Sequence, residues 1–359
     1  APAVTGAPLQ VQAGVSVNGR NLAIIDSYLN DFYTSNVGSS TDSQAVLGGS
    51  GDDPQGVIKI TNNFLESATE CGMFGGGAAT VNPADIEIRR NHCFKPLQWR
   101  CDTGAGCPAA SHVIVKNAAI ELKNGVRVLF EGNVHENVWN ATTASGAQQG
   151  DQKGFAILIT PKNQSGLCPI CIVTDVTYRY GKTKHTSNGF QMSSALSDSG
   201  AISMGIARIT LHDYVMDDIS TTWAGGDTTQ QMASGIQMGA NSATPAPGQA
   251  PDVTIAHNTI IVSGGQRYGG FLWSVFDPAN PIDIRRLTIQ DNIAPAPMWY
   301  LNPNSSTYNG VLTYLNMVNG SQDWCVQGNL ISTGNWTNQQ VNNPWPAPGD
   351  NPSAGSCHN

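Results

Sequence analysis

The 359-residue chain is 40% hydrophobic and only 12% charged, with a net charge of −8. Charged residues are about half as frequent as in an average soluble domain, so the surface must be built from Asn, Gln, Ser, Thr and Gly, which suits repetitive β structure and disfavours helices. The acidic balance makes nucleic acid a poor partner, and no apolar run approaches the roughly 20 residues of a membrane-crossing helix.

In chain order, one string recurs: two apolar residues around a third, then Asn or another turn former. It runs Ala23-Ile-Ile-Asp-Ser-Tyr-Leu, Ile58-Lys-Ile-Thr-Asn-Asn-Phe, Ile86-Glu-Ile-Arg-Arg-Asn-His, Val128-Leu-Phe-Glu-Gly-Asn-Val and, with Gly for Asn, Val176-Thr-Tyr-Arg-Tyr-Gly. It returns as Ile209-Thr-Leu-His-Asp-Tyr-Val, Val253-Thr-Ile-Ala-His-Asn, Leu287-Thr-Ile-Gln-Asp-Asn and Trp324-Cys-Val-Gln-Gly-Asn. A second string alternates with the first: Ser43-Gln-Ala-Val-Leu, Cys71-Gly-Met-Phe, Ala119-Ile-Glu-Leu, Gly154-Phe-Ala-Ile, Gly189-Phe-Gln-Met, Gly235-Ile-Gln-Met, Gly270-Phe-Leu-Trp and Gly310-Val-Leu-Thr.

Two recognisable strands per round and a hidden third, such as Thr259-Ile-Ile-Val, describe the coil of a repeat protein. The expected fold is all-β: a single-stranded right-handed parallel β-helix, a solenoid with capped ends. It forms one domain over 1–359, with 1–20 an N-terminal cap, 21–332 the coils and 333–359 a capping tail, because an exposed end coil is an open sheet edge. The repeated Asn is expected to form an amide ladder at a tight turn.

The chain opens Ala-Pro-Ala without Met, as a mature product does after signal-peptide removal. The cysteines lack the paired spacing of a zinc site and read as disulfides. Cys325–Cys357 is expected to staple the tail, with at least one bridge within Cys93, Cys101 and Cys107. The sequons at Asn140, Asn163, Asn304, Asn319 and Asn335 are expected in surface loops. The compartment these signs indicate is secreted, extracellular or periplasmic.

Charge is concentrated between Lys59 and Glu136. In the second string, alternation sends Phe190 and Met192 inward and Gln191 and Gln237 outward; by the same phase Glu121 and Lys123 face out. Asp42, Gln44 and Glu70 begin the equivalent slot in earlier rounds, and Arg90 and Lys95 border it. The carboxylates of Glu70 and Glu121 are candidate cation ligands, and Lys123 is the best-placed proton acceptor if its surroundings lower its pKa. A solvated salt-bridge surface is the plainer reading of the same residues. Trp99, Trp139 and Trp223 lie in loops, placed to stack on sugar rings or to pack their loops down; Trp273 has the inward phase. Asp213, Asp217 and Asp218 read as turn residues, and His185 as a loop histidine.

The strings Asn62-Asn-Phe-Leu-Glu, Ile86-Glu-Ile-Arg-Arg-Asn-His, Glu121-Leu-Lys-Asn and Phe130-Glu-Gly-Asn-Val-His-Glu-Asn resemble those of bacterial secreted right-handed β-helix repeat proteins. That group is similar to the pectate-lyase-like superfamily, including its chondroitinase B and alginate lyase branch. The resemblance implies the fold and a polysaccharide ligand. It also implies a lyase that cleaves an acidic glycan by β-elimination, using a Lys or Arg base and calcium or cationic side chains to neutralise the uronate. Lys123, Lys95, Arg90 and Glu121 are the catalytic candidates, with Asp42, Gln44, Trp99, Gln191 and Gln237 contacting substrate and calcium at Glu70 and Glu121. The Asn-Thr-Asp, Gly-His-Gly and Arg-Ile-Lys series of polygalacturonases is absent. A glycoside hydrolase with paired carboxylates on the same face, and a noncatalytic structural or adhesive β-helix capable of self-association, stay open beside the lyase.

Overall fold

The computed structural model describes residues 11–33, 42–99, 119–139, 154–198, 201–223, 233–241, 252–263, 270–275, 286–294 and 324–331. Their regular structure is almost wholly β, in three nine-stranded sheets in which, Ala201–Ile202 apart, every third strand falls in the same sheet. Sheet A takes Ala13–Ser16, Gln44–Gly48, Gly72–Phe74, Ile120–Leu122, Phe155–Ile159, Asn188–Asp198, Ser234–Asn241 and Gly270–Val275 in that order, with Ala201–Ile202 paired antiparallel to the end of Asn188–Asp198. Sheet B runs from Leu22–Ile25 to Trp324–Gln327 and sheet C from Tyr28–Phe32 to Leu330–Ile331, each gaining one strand per round. Within and between rounds the chain visits A, B and C in turn, and every pairing along these three paths is parallel.

Register turns the alternating sequence into columns. In sheet B, Ile58, Ile86, Val128, Val176, Ile209, Val253 and Leu287 form one buried column and Ile60, Ile88, Phe130, Tyr178, Leu211, Ile255 and Ile289 another. Burying each Val, Ile or Leu contributes about 1.5–3 kcal/mol, and the Phe130 and Tyr178 rings stack at 3.9 Å. At the entry to sheet A the interior is narrower. Ala45, Cys71, Ala119 and Ala156 are buried there, and a Cβ at Gly189, in register with Ala156, would lie 2.6 Å from Met216 Sδ.

Between sheets B and C the chain reverses in two residues. The first takes left-handed φ, as at Asn62 (57°), Arg90 (52°) and Asp213 (50°), at a cost of about 1–2 kcal/mol for an L residue. The second offsets that cost with its side chain. Asn91 Nδ2 donates to Ile60 O (2.8 Å) and to Asn133 Oδ1 (3.0 Å), while Asn91 Oδ1 accepts from the backbone and side-chain amides of Asn63 (3.0 and 2.9 Å). The same pattern joins Asn258, Asn292 and Asn329, so the expected amide ladder is present. It is interrupted at Gly181 and Tyr214. A Cβ at Gly181 would lie 2.5 Å from the Tyr214 ring, whose hydroxyl bonds Thr183 Oγ1 (2.9 Å) and His135 Nδ1 (3.4 Å). Burial, reinforced by His92, depresses the His135 pKa to about 3, so the imidazole is neutral.

The outer face of sheet B carries a second ladder, of alternating sign. Arg127 grips Asp85 with two bonds (2.7 and 2.8 Å), Arg208 grips Asp175 (2.5 and 2.9 Å), and Arg286 grips Asp252. Asp175 also feels Arg127, and Arg208 feels Asp252, which links the pairs into one file.

Cys93 is bonded to Cys71, not to Cys101 or Cys107. Cys71 stands at the head of a sheet A strand and Cys93 in sheet C, so the bridge crosses the interior at a corner that sequence spacing does not reveal. Cys168 and Cys171 form a second bridge. Cys325 is disulfide-bonded, and Cys101, Cys107 and Cys357 lie outside the described residues. Asn163 is buried, accepting from Cys168 N (2.8 Å) and donating to Ile202 O, so this sequon is not in an open loop. The disulfides point to an oxidising, non-cytoplasmic compartment, and among the described residues no helix is long and apolar enough to cross a membrane.

Asn91→Ala removes one rung and strands the buried amides and carbonyl around it. It is expected to destabilise the protein by about 2–4 kcal/mol in urea unfolding. A loss below about 1 kcal/mol would show that the ladder does not hold the turns.

Candidate functional site

Register gathers most of the expected residues on the outer side of sheet A. The column there reads Leu47, Met73, Glu121, Leu158, Gln191, Gln237 and Trp273. Trp273 is thus in register with Gln237, because Gly270 aligns with Ser234 and not with Gly235. Gln191 donates its amide to Gln237 (2.8 Å), with Leu158 between this pair and Glu121.

Glu121 is the centre of a tight cluster. It pairs with the Lys123 ammonium at 3.4 Å and accepts from Thr160 Oγ1 at 2.7 Å. Glu70, one round earlier, accepts from the Gln44 amide at 3.0 Å. Asp42, Glu70 and Glu121 all act electrostatically on Lys123. Five expected residues are thus brought together, although the face is far less open than a solvated surface: Gln44, Glu70 and Glu121 are 1%, 4% and 8% exposed.

The electrostatics assign different states to these groups. Burial raises the Glu70 pKa to about 7; Glu121 and Asp42 add to the rise, and Lys123 and the Gln44 amide oppose it. Burial pulls Lys123 down, but Glu121, Glu70 and Asp42 outweigh it and the net shift is upward. Lys123 is therefore a lasting cation and not the lowered-pKa base expected of it. It is also the cation that the three carboxylates share. Among the described residues no group of three or more His, Cys, Asp or Glu is arranged to hold a metal ion.

Three further expectations are corrected. Lys95 is fully buried, and its ammonium donates to Ser67 O (2.8 Å) and Thr69 O. Burial lowers its pKa to about 7 against the pull of Glu70, so it braces the segment that presents Glu70 and reaches no ligand. Arg90 sits exposed at the turn from sheet B to sheet C, away from the cluster, because its left-handed φ belongs to that turn. Trp99 is 7% exposed and packs with Ala68 and Trp139, which shows the loop-packing role that was its alternative.

Sequence reasoning missed Thr160, whose hydroxyl fixes Glu121, and the glycines beside Lys123. A Cβ at Gly76 would lie 2.5 Å from Met73 Cε, and one at Gly75 would lie 2.8 Å from Lys123 Cβ. Their positive φ values, 102° for Gly75 and 86° for Gly76, fit the need for a bare backbone there. It also missed the convergence on Glu136 in sheet C, where His92 (3.0 Å), Lys184 (2.9 Å) and His185 (3.8 Å) meet one carboxylate. The outward alternation of Val134–Val138 was the available signal. No protein-family model, curated protein or solved structure matches the chain.

The Glu70 shift has a sign that can be measured. Its folded pKa lies above its unfolded value, so between about pH 4.5 and 7 the folded state holds a proton the unfolded chain has lost, and stability falls as pH rises. His135, depressed to about 3, contributes the opposite slope up to its unfolded value. The difference between wild type and Glu70→Gln isolates the first effect. From pH 5 to pH 7 the wild type should lose stability relative to Glu70→Gln in chemical denaturation, and parallel curves would show that Glu70 titrates normally.

Proposed function

We propose that the protein is a secreted right-handed parallel β-helix that hydrolyses a glycosidic bond of a polysaccharide at the Glu70–Glu121 cluster. The cyclic visiting of three parallel sheets supports the solenoid, since strands returning a round later need a crossover and wind with one hand. The disulfides support an extracellular or periplasmic home.

The observation that carries the chemistry is the pair of neighbouring carboxyls in unlike surroundings. Glu70 retains a proton near neutral pH because of burial and its neighbours, while the Glu121 carboxyl pairs with the Lys123 ammonium and accepts from the Thr160 hydroxyl. A carboxyl that holds its proton beside a second carboxyl fixed by a cation supplies the two groups that glycoside hydrolysis requires. Glu70 would donate its proton to the departing glycosidic oxygen, and Glu121 would attack the anomeric carbon or take a proton from the attacking water. The overall change is addition of one water across the bond. Glycines 75 and 76 let the backbone pack closely against Lys123 and Met73.

Elimination from an acidic glycan is the second reading. A permanent Lys123 cation favours it, as a uronate carboxylate needs a positive neighbour. Against it, three acidic side chains surround that one cation, so the cluster carries little attraction for another anion, and Lys123 does not serve as the base.

Incubation with neutral and acidic polysaccharides separates the readings. Hydrolysis releases reducing ends without the ultraviolet absorbance of an unsaturated uronate, elimination produces both, and a noncatalytic protein neither. Glu70→Gln and Glu121→Gln should each lower kcat by on the order of 10²–10⁴-fold while the circular dichroism stays native. Full activity in both variants would remove the assignment.

A further inference from the structure

The outer face of sheet C carries a second array, separate from the cluster on sheet A. Its first column, in register, is Tyr28, Phe64, His92, Val134 and Lys182. Tyr28 and Phe64 stack face to face at 4.6 Å and 10°, and the His92 ring meets Phe64 edge-on at 5.4 Å. Phe94, in the neighbouring column, lies 6.0 Å from Phe64 and 5.7 Å from His92. Tyr28 is 65% exposed. A strip of four contacting rings on one sheet face, exposed at Tyr28 and half-buried at Phe64, His92 and Phe94, is unusual for a surface that serves only solubility.

The strip leads into the polar hub. Glu136, beside Phe94 in register, is met by His92, Lys184 and His185, and Lys182 pairs with Asp217 at 2.8 Å. His185 in turn stacks on Trp223 at 5.2 Å, and the Trp223 indole donates to Asp218 (3.0 Å). Charges of both signs are thus paired off along the face, leaving no net field that selects an ion. What remains is a series of flat apolar rings followed by a rim of hydrogen-bonding groups already held in place.

We infer that this face binds an extended neutral glycan, laid across the strands in the direction in which the rounds stack. A pyranose presents an apolar ring face and a polar hydroxyl edge, matching Tyr28 and Phe64 on one side and Glu136, Lys184 and Asp217 on the other. Parallel strands step by about 4.8 Å, so the column from Tyr28 to Lys182 spans about 19 Å, room for several sugar units in a row. A folded protein partner would need a broader apolar patch with a depleted charge content at its centre, and an anionic chain would need unpaired cations.

The inference goes beyond the proposed catalysis and stands or falls separately from it. The test is retardation of the full chain in native gels containing mixed-linkage β-glucan, xyloglucan or polygalacturonate. Wild type and Glu70→Gln should be retarded alike by at least one of the two neutral glycans. Tyr28→Ala, whose side chain is too exposed to support the fold, and Glu136→Gln should each raise the apparent Kd about tenfold, with the melting temperature of Tyr28→Ala unchanged. Retardation by polygalacturonate alone, no retardation by any glycan, or retardation that Tyr28→Ala leaves intact would each overturn the inference. So would a wild-type dimer in light scattering that Tyr28→Ala dissolves, since the face would then be an interface between copies.

Discussion

A parallel strand has no hairpin to place its partner, so each strand here must meet its neighbour a full round of chain away. The buried amides at the turn from sheet B to sheet C are what make that meeting unambiguous. Each Asn satisfies the backbone of the round before it and is satisfied by the round after. Because the amide is buried, a shift of one residue would leave donors and acceptors unpaired, and that cost falls on every rung at once. Everything outside the turn inherits this alignment, from the apolar columns to the polar ones on the outer faces.

That dependence explains what could be read from the sequence. Once the Asn and the alternating strings are aligned, slots one round apart become neighbours, and Asp42, Gln44, Glu70, Glu121 and Lys123 fall together for the same reason that Ile58 falls beside Ile86. The alignment fails where a string looks alike but is displaced: Gly270 resembles Gly235 yet pairs with Ser234, which puts Trp273 in register with Gln237. The burial of the charged groups was not legible. Lys95 and Arg90 are both cations near the end of an apolar string, but one is sealed against Ser67 and Thr69 and the other sits on an open turn. The direction of the Lys123 shift was equally hidden, because it depends on how many carboxylates lie within reach against how much water is lost.

The sheet A cluster is costly to maintain. Desolvating several ionisable groups on one face is unfavourable unless each finds a partner, and apolar residues of similar size would fold at least as well. Leu158 shows this directly: it fills the Glu121 position one round later and is well buried there. Folding therefore gives no account of why Asp42, Glu70, Glu121 and Lys123 are charged, whereas the reaction proposed for that face does.

The alternating file of Asp85, Arg127, Asp175, Arg208, Asp252 and Arg286 bears on how such a chain finds its native threading. Successive rounds are so similar in their apolar columns that hydrophobic contact alone scarcely distinguishes a round from the one before it. Skipping one round would set acid against acid or base against base along the growing stack. Skipping two would restore the signs but leave a whole round unhoused. The file thus acts as a parity check on assembly, discriminating against the commonest error that a repetitive sequence invites, and dissolved salt, by screening exposed charges, would weaken the check more than it weakens the finished fold.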